Sequence, residues 1–180
     1  MDENIKNSKL IKAAQKGNKA AFDQLVLKYK DSVFNLCYCL LGDYRGAEES
    51  AQKVFINMYR GLGKFGFKAK FSVWLYRIAV NICKNRLEKQ PGTPKMNSPD
   101  DAELSAPSKP PEKKERAELI RQEISALPRD KKTVILLRDI ERLSYREIAV
   151  ITGLKLGAVK SNLSEARETL KKELRRKNVI

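Results

Sequence analysis

Arg77, Asn81, Lys84 and Asn85 follow one another at gaps of four, three and one residues. On a helix this spacing puts a guanidinium, two amides and an ammonium on a single ridge. Cations in such a row can neutralise phosphates, and an asparagine side chain can pair with a base edge; the same four side chains would also make an ordinary solvated face. Just upstream, the segment Gly63 to Phe71 interleaves Phe65, Phe67 and Phe71 with Lys64, Lys68 and Lys70. Aromatic faces for stacking beside cations for the backbone are what single-stranded nucleic-acid sites use. Phe65 and Phe71 are expected to anchor this loop in the core, leaving Phe67 and the lysines for contact.

Two further groups carry chemistry. Glu48, Glu49 and Gln52 point outward on an otherwise basic half of the chain, either to meet a basic protein surface or only to favour the first turn of their helix through its dipole. Near the C-terminus, Ser144-Tyr145-Arg146-Glu147 has the S-x-x-E form of a capping box, and Thr152-Gly153-Leu154 supplies a tight turn. A second helix then follows from about Leu156, with Val159, Leu163, Ala166 and Leu170 inward and Lys160, Ser161, Asn162, Ser164 and Arg167 more exposed. Short helix, glycine turn and second helix make a helix-turn-helix, whose second helix enters a DNA major groove. The small residues Gly157 and Ala158 at its start permit close backbone approach.

Helices must position all of this. Gly17-Asn18 reads as a stop followed by an N-cap, after which Phe22, Leu25, Val26, Tyr29, Val33, Leu36, Cys37 and Leu40 recur at helical steps. Gly42-Asp43 breaks that helix, and Ala47, Ala51, Val54, Phe55, Met58, Tyr59 and Leu62 form the next stripe. The ridge of Arg77 has behind it Trp74, Leu75, Ile78, Ala79, Ile82 and Leu87, spaced to pack on the other stripes. Leu127-Pro128 opens a helix with the stripe Val134, Leu137 and Ile140. No alternating strand pattern competes, so the fold class is all-α, with an N-terminal bundle of about four helices.

The 37 basic and 22 acidic side chains give a net charge of +15, and their distribution is uneven. Residues 1–90 carry +9, residues 91–112 carry −2 and residues 113–180 carry +8. Six of the seven prolines also fall in the acidic stretch, which reads as a flexible linker unable to build a core. The expected organisation is thus a helical domain over 1–90, a linker over 91–112 and a helix-turn-helix domain over 113–180. Those 22 residues, extended at about 3.1 Å each, would reach roughly 70 Å. There is no histidine, the commonest general base and metal ligand. Cys37, Cys39 and Cys83 sit in apolar helical patterns and are expected to be reduced thiols and not zinc ligands or a disulfide framework. No cofactor or metal is expected, and no nucleophile-base constellation of an enzyme is visible. With no apolar leader and no membrane-length run, the expectation is a cytoplasmic protein.

Taken together, these segments closely resemble one family: bacterial sigma factors of the extracytoplasmic-function (ECF) group within the sigma-70 family. Ala47-Glu48-Glu49, Gln52 and Val54-Phe55 are similar to its polymerase-binding helix. Phe71-Ser72-Val73-Trp74-Leu75-Tyr76-Arg77-Ile78-Ala79-Val80-Asn81 is similar to its promoter-melting segment. Leu143-Ser144-Tyr145-Arg146-Glu147-Ile148-Ala149, with Gly153, Gly157, Val159-Lys160-Ser161 and Ala166-Arg167, resembles its minus-35 reader. Gly46, Ser50 and Lys53 depart from the pattern, standing where aspartate, a large aliphatic residue and an acidic residue are typical.

The resemblance implies a sigma region 2-like bundle joined to a region 4-like domain. It implies docking of Glu48, Glu49, Gln52 and Phe55 on the clamp helices of the polymerase beta-prime subunit, with the beta flap as a second polymerase contact. Lys64, Phe67, Lys68, Lys70, Arg77, Asn81 and Lys84 would hold the minus-10 element as a single strand, one base captured in a protein pocket. Arg146, Lys155, Gly157, Ala158, Lys160, Ser161, Asn162 and Arg167 would read the minus-35 duplex. An anti-sigma factor is an implied further partner, and catalysis stays with the polymerase. The competing readings are a LuxR-type regulator whose N-terminal bundle never touches DNA, and an RNA-binding bundle.

Overall fold

The computed structural model describes residues 3–89 and 111–179, with side-chain surroundings over 7–89 and 115–179. The stretch read as a linker lies almost wholly outside the described residues. Eight α-helices are described: α1 (Glu3–Gln15), α2 (Lys19–Leu41), α3 (Tyr44–Gly61), α4 (Phe71–Lys89), α5 (Pro111–Ala126), α6 (Arg129–Ile135), α7 (Tyr145–Thr152) and α8 (Leu156–Arg176). There is no strand among the described residues.

Local chemistry sets the helix ends. Asn18 accepts from the Ala21 N–H at 3.1 Å to start α2, which stops where Gly42 takes φ +69°. Asp43 then caps α3 through the Gly46 N–H at 2.8 Å. Gly46 itself is buried, and a Cβ there would lie 2.3 Å from the capping Asp43 oxygen and 3.0 Å from Arg86. The absence of a side chain at this position is therefore what lets the cap and Arg86 share the space. Gly61 likewise sits where a Cβ would be 3.1 Å from the Trp74 ring.

In the N-terminal half, α2 and α3 pack on each other and on α4, while α1 lies along α2. Their core contains Leu25, Val33, Leu36, Cys37, Val54, Met58, Leu75 and Ala79, each no more than 2% exposed. In the C-terminal half, α6, α7 and α8 surround Val134, Leu137, Ile148, Val159 and Leu163. The two halves are not apart: α4 packs against α7, α2 packs against α5 and α6, and the buried apolar cluster continues from one half into the other.

That packing explains where the sequence reading of the stripes fails. On α4 the buried side chains are Phe71, Val73, Leu75, Tyr76, Ala79 and Cys83, whereas Trp74, Ile78, Ile82 and Leu87 are half-buried. One helix covered on two sides has no single stripe. Tyr59, expected inside, is 68% exposed with its ring edge-on to Phe22 at 5.2 Å. Ala47, Ala51, Val54, Met58 and Leu62 occupy the inner face of α3 at steps of four, three, four and four, which leaves Tyr59 on its flank. Ile140, also expected inside, is 55% exposed. It ends a π-helical turn, Leu136–Ile140, whose wider winding rotates it off the line of Val134 and Leu137.

Candidate polymerase and nucleic-acid interfaces

The loop from Gly63 to Lys70 is held by aromatic packing. Phe65 and Phe71 are 8% and 4% exposed, as the sequence reading expected, and Phe65 contacts Phe67, Phe71 and Trp74 at ring distances of 5.1, 5.6 and 5.2 Å. Phe67 itself is 41% exposed and adopts φ +58°. This left-handed conformation costs a phenylalanine about 1–3 kcal/mol. Its ring rests on Phe65, with the Lys12 ammonium 5.7 Å above its face. Lys64, Lys68 and Lys70 are exposed, as are Arg77, Asn81, Lys84 and Asn85 along α4. The predicted minus-10 residues of the loop and of α4 are therefore all exposed.

The loop also has a partner the sequence did not reveal. Gln15 at the end of α1 donates from Nε2 to the carbonyls of Leu62 and Phe65, 2.9 Å each. A cavity of about 330 Å³ opens between α1 and the loop, lined by Asn7, Ser8 and Ile11 on one side and by Phe65, Phe67 and Lys68 to Phe71 on the other. No spacing rule links residues 7–15 to residues 62–71. Only the packed fold brings them together.

On α3, Glu48 and Gln52 are exposed and Phe55 is half-buried. Glu49 is different. Its Oε2 accepts from Arg86 of α4 at 2.9 Å and its Oε1 from Arg45 at 3.3 Å, and the Arg86 guanidinium holds its carboxyl below the usual range. Ile56, 49% exposed, and Tyr59 extend the outward face by two further turns. Glu48, Gln52, Ile56 and Tyr59 thus make a ridge at steps of four, four and three; the apolar half of it was missed because the periodicity assigned Tyr59 to the core.

The capping box predicted at Ser144 is present: Ser144 Oγ accepts from the Glu147 N–H at 3.3 Å, and the Ser144 N–H donates to Glu147 Oε2 at 2.7 Å. Gly153 caps α7 at φ +75°, and α8 begins at Leu156 with Val159, Leu163, Ala166 and Leu170 buried. Arg146, Lys155, Gly157 and Lys160 are exposed, and Ala158 and Asn162 are half-buried. Nothing lies within 4 Å of where a Gly157 Cβ would be, so internal packing does not require this glycine. Ser161 and Asn162 donate back to the Ala158 carbonyl at 3.2 and 2.9 Å. Arg167 is held by Asp139, its Nε at 3.0 Å from Oδ2, with a second, very short bond from Nη2.

Between the halves, the buried Tyr76 hydroxyl donates to Glu141, and Lys70 of the loop pairs with Glu147 of the capping box at 2.9 Å. Arg129 and Glu88 approach to 3.9 Å. Burial pushes the Glu147 carboxyl up, but Lys70 and Ser144 outweigh it and leave it below its ordinary value. Burial, followed by the Glu141 bond, raises the Tyr76 phenol. Below these contacts a second cavity, about 260 Å³, lies between Asn35, Leu36 and Cys39 of α2 and Ile120, Arg121 and Ile124 of α5. The three cysteines are buried and unbridged. A bond with Cys83 and then burial raise the Cys37 thiol, while burial pushes Cys39 up to about 11. Among the described residues no helix is long and apolar enough to cross a membrane.

Comparison with known proteins joins these surfaces. The family model "Sigma-70 region 2" matches residues 25–92 and "Sigma-70, region 4" matches residues 117–170. The RNA polymerase sigma-H factor of Pseudomonas aeruginosa is 35% identical, the match covering 93% of each chain. The ECF RNA polymerase sigma factor SigW of Bacillus subtilis is 37% identical over 93% of this chain and 96% of its own. The ECF RNA polymerase sigma-E factor of Escherichia coli is 34% identical over 94% and 95%. Among solved structures, CnrH in complex with the cytosolic domain of CnrY superposes with a TM-score of 0.69 at 23% identity, covering 93% of this chain and 96% of that one. The sigma factor RpoE of Bartonella quintana, solved with the anti-sigma factor NepR, gives 0.67 at 20% identity, covering 86% and 96%. These two share the fold. With both sigma regions matched and curated relatives spanning nearly its whole length, this chain belongs to the ECF group of the sigma-70 family.

Proposed function

We propose that this protein binds core RNA polymerase, directs it to specific promoters and promotes strand opening, supplying address and melting while the polymerase supplies the chemistry. The observation that carries the melting role is the exposure of Phe67, Lys68, Lys70, Arg77, Asn81 and Lys84, with Phe67, Lys68 and Lys70 lining a cavity of about 330 Å³. Extruding a base costs a few kcal/mol, which stacking at about 1–3 kcal/mol per base and phosphate neutralisation offset. Glu48, Gln52 and Phe55 are the polymerase contacts, with Glu49 positioned by Arg86. The exposed start of α8 with Arg146 reads the minus-35 duplex. Residues 1–90 and 113–180 act as the two reading domains and 91–112 as their tether. An anti-sigma factor is a partner suggested by the complexes in which fold relatives were solved.

The matched region 2 over residues 25–92 argues against a LuxR-type regulator, whose N-terminal bundle would stay off DNA. Minus-10 and minus-35 elements lie 25 base pairs apart by name, about 85 Å along B-DNA at 3.4 Å per pair. The two halves pack on each other here, so promoter binding requires them to part. Run-off transcription with core polymerase on a promoter library tests the reading: defined start sites that depend on this protein are expected, and their absence refutes it. Arg77→Ala or Asn81→Ala should reduce permanganate-reactive thymines in the melted strand while leaving minus-35 duplex binding intact.

A further inference from the structure

We infer that Asn7, on α1, is a specificity-determining residue for the captured base, sorting bases with an amino edge from those with a keto edge. The inference rests on the base-capture reading above and adds to it a residue outside the loop and outside α4. Asn7 is 6% exposed yet lines the cavity opposite Phe67 and Lys68. Its amide is gripped at both ends. Nδ2 donates to the Tyr29 hydroxyl at 2.9 Å, and Oδ1 accepts from Lys28 Nζ at 2.8 Å.

Lys28 settles which end is which. An ammonium has donors only, so it must face the oxygen, and the usual ambiguity of an asparagine amide is removed. Each amide end keeps unused capacity among the described residues. Nδ2 has two N–H groups and one is spent on Tyr29; Oδ1 has two lone pairs and one is spent on Lys28. The two bonds fix the order of the amide, and the proposal is that its remaining donor and acceptor serve the base that enters the pocket.

That order is what distinguishes bases. Adenine and cytosine carry an amino donor beside a ring-nitrogen acceptor; guanine and thymine carry a carbonyl acceptor beside a ring N–H donor. A base enters with its sugar and phosphate held outside, so its edge arrives in one sense only. A pinned amide matches one class and sets donor against donor in the other. An amide free to flip would accept both. The cavity, about 330 Å³, lies at the small end of the roughly 300–1,000 Å³ spanned by ligand pockets, and its aromatic wall of Phe65, Phe67 and Phe71 offers ring faces beside that edge. Lys28 and Tyr29 are positioning residues in this scheme.

The test uses the full chain with core polymerase. First, 2-aminopurine placed at successive non-template minus-10 positions should brighten at one position in the open complex, identifying the captured base. Transcription is then compared with each of the four bases there. The wild type should favour one class, A and C or G and T, by roughly 5- to 150-fold, the value of a good bidentate contact. Asn7→Ala should bring the two classes within about twofold. Asn7→Asp, acceptor-only, should lose the same discrimination, since the edge of each class offers one donor and one acceptor. Lys28→Met, which leaves Asn7 in place but lets its amide turn, should narrow the preference while the 2-aminopurine signal persists, so a folding defect of the Asn7 variants cannot hide the answer. If no position brightens in the wild type, base capture itself fails. A bright position with preference unchanged in Asn7→Ala and Lys28→Met, or a wild-type preference that divides purines from pyrimidines, overturns the role of Asn7 alone.

Discussion

Removing one oxygen, by Tyr76→Phe, should open this molecule. Tyr76 is 3% exposed on α4 and its hydroxyl donates to Glu141, just beyond the π turn of the other half. A hydrogen bond to a charged acceptor contributes about 1.5–3 kcal/mol. Glu141 is only half-buried, so water recovers part of its solvation, and about 1–2 kcal/mol is the expected loss. At 1.4 kcal/mol per decade this makes the parted conformation roughly five- to thirtyfold more populated. The second link, Lys70 with Glu147, is weaker, since the Lys70 side chain is 53% exposed. It also has a pH sign. Glu147 titrates below its ordinary value in the folded chain, so its contribution is present at neutral pH and is lost as pH falls through the glutamate range. The assay is energy transfer between dyes at Lys30→Cys and Lys171→Cys, both exposed positions on opposite halves. The low-transfer population should rise by the stated factor in Tyr76→Phe, rise further at acidic pH, and become dominant in both proteins once core polymerase and promoter are added. An unchanged distribution in a variant with native helicity would refute the reasoning, because the Tyr76 bond would then contribute nothing to closure.

Four other outcomes are expected. Ser50 is 1% exposed and its Oγ has no hydrogen-bond partner among the described residues; Ser50→Ala removes that hydroxyl and improves helix propensity, so calorimetry should show a gain of about 1 kcal/mol, or roughly 2–4 °C in Tm. The buried thiols Cys37, Cys39 and Cys83 should resist a water-soluble disulfide reagent at pH 8 until denaturant is added, because the bond with Cys83 raises Cys37, burial raises Cys39, and none is reachable. Glu48→Lys should weaken core-polymerase binding in a pull-down without changing Tm, whereas Glu49→Lys should lower Tm as well, by setting a third cation against Arg86 and Arg45. Asp139→Asn should release Arg167 and steepen the salt dependence of minus-35 duplex binding by about 0.9, and Lys160→Ala should flatten it by about the same amount.

The features legible in the sequence were those fixed by local geometry. Asn18 and the Ser144–Glu147 box start helices where their side chains say they should, Gly42-Asp43 ends α2 as read, and the inner face of α8 follows its period. Phe65 and Phe71 anchor the loop as their apolar mass requires. What escaped is non-local. Tyr76 is buried with its hydroxyl on Glu141 of the other half, and Ile140 leaves the core because a π turn adds to the winding. Asn7 and Gln15 bear on a loop some fifty residues away, and periodicity within a window cannot register such a distance. Charge posed the same problem: the sequence counts Arg86, Lys70 and Arg167 as basic surface, yet each is committed to a carboxylate from another element.

Those commitments reduce the number of cations free to meet DNA phosphate in a protein of net charge +15. Lys70 of the 63–71 loop pairs with Glu147, and Arg167 of α8 with Asp139. For these two cations a phosphate must replace a carboxylate already in place, so the net gain is an exchange and not a new ion pair. Glu147 does two jobs, since the same carboxylate caps α7 and holds the other half's loop. Parting the halves therefore frees Lys70 while the cap on α7 survives through Ser144. Affinity is then unmasked in the conformation that can span a promoter, and once one half is engaged the tether gives the other a high effective concentration.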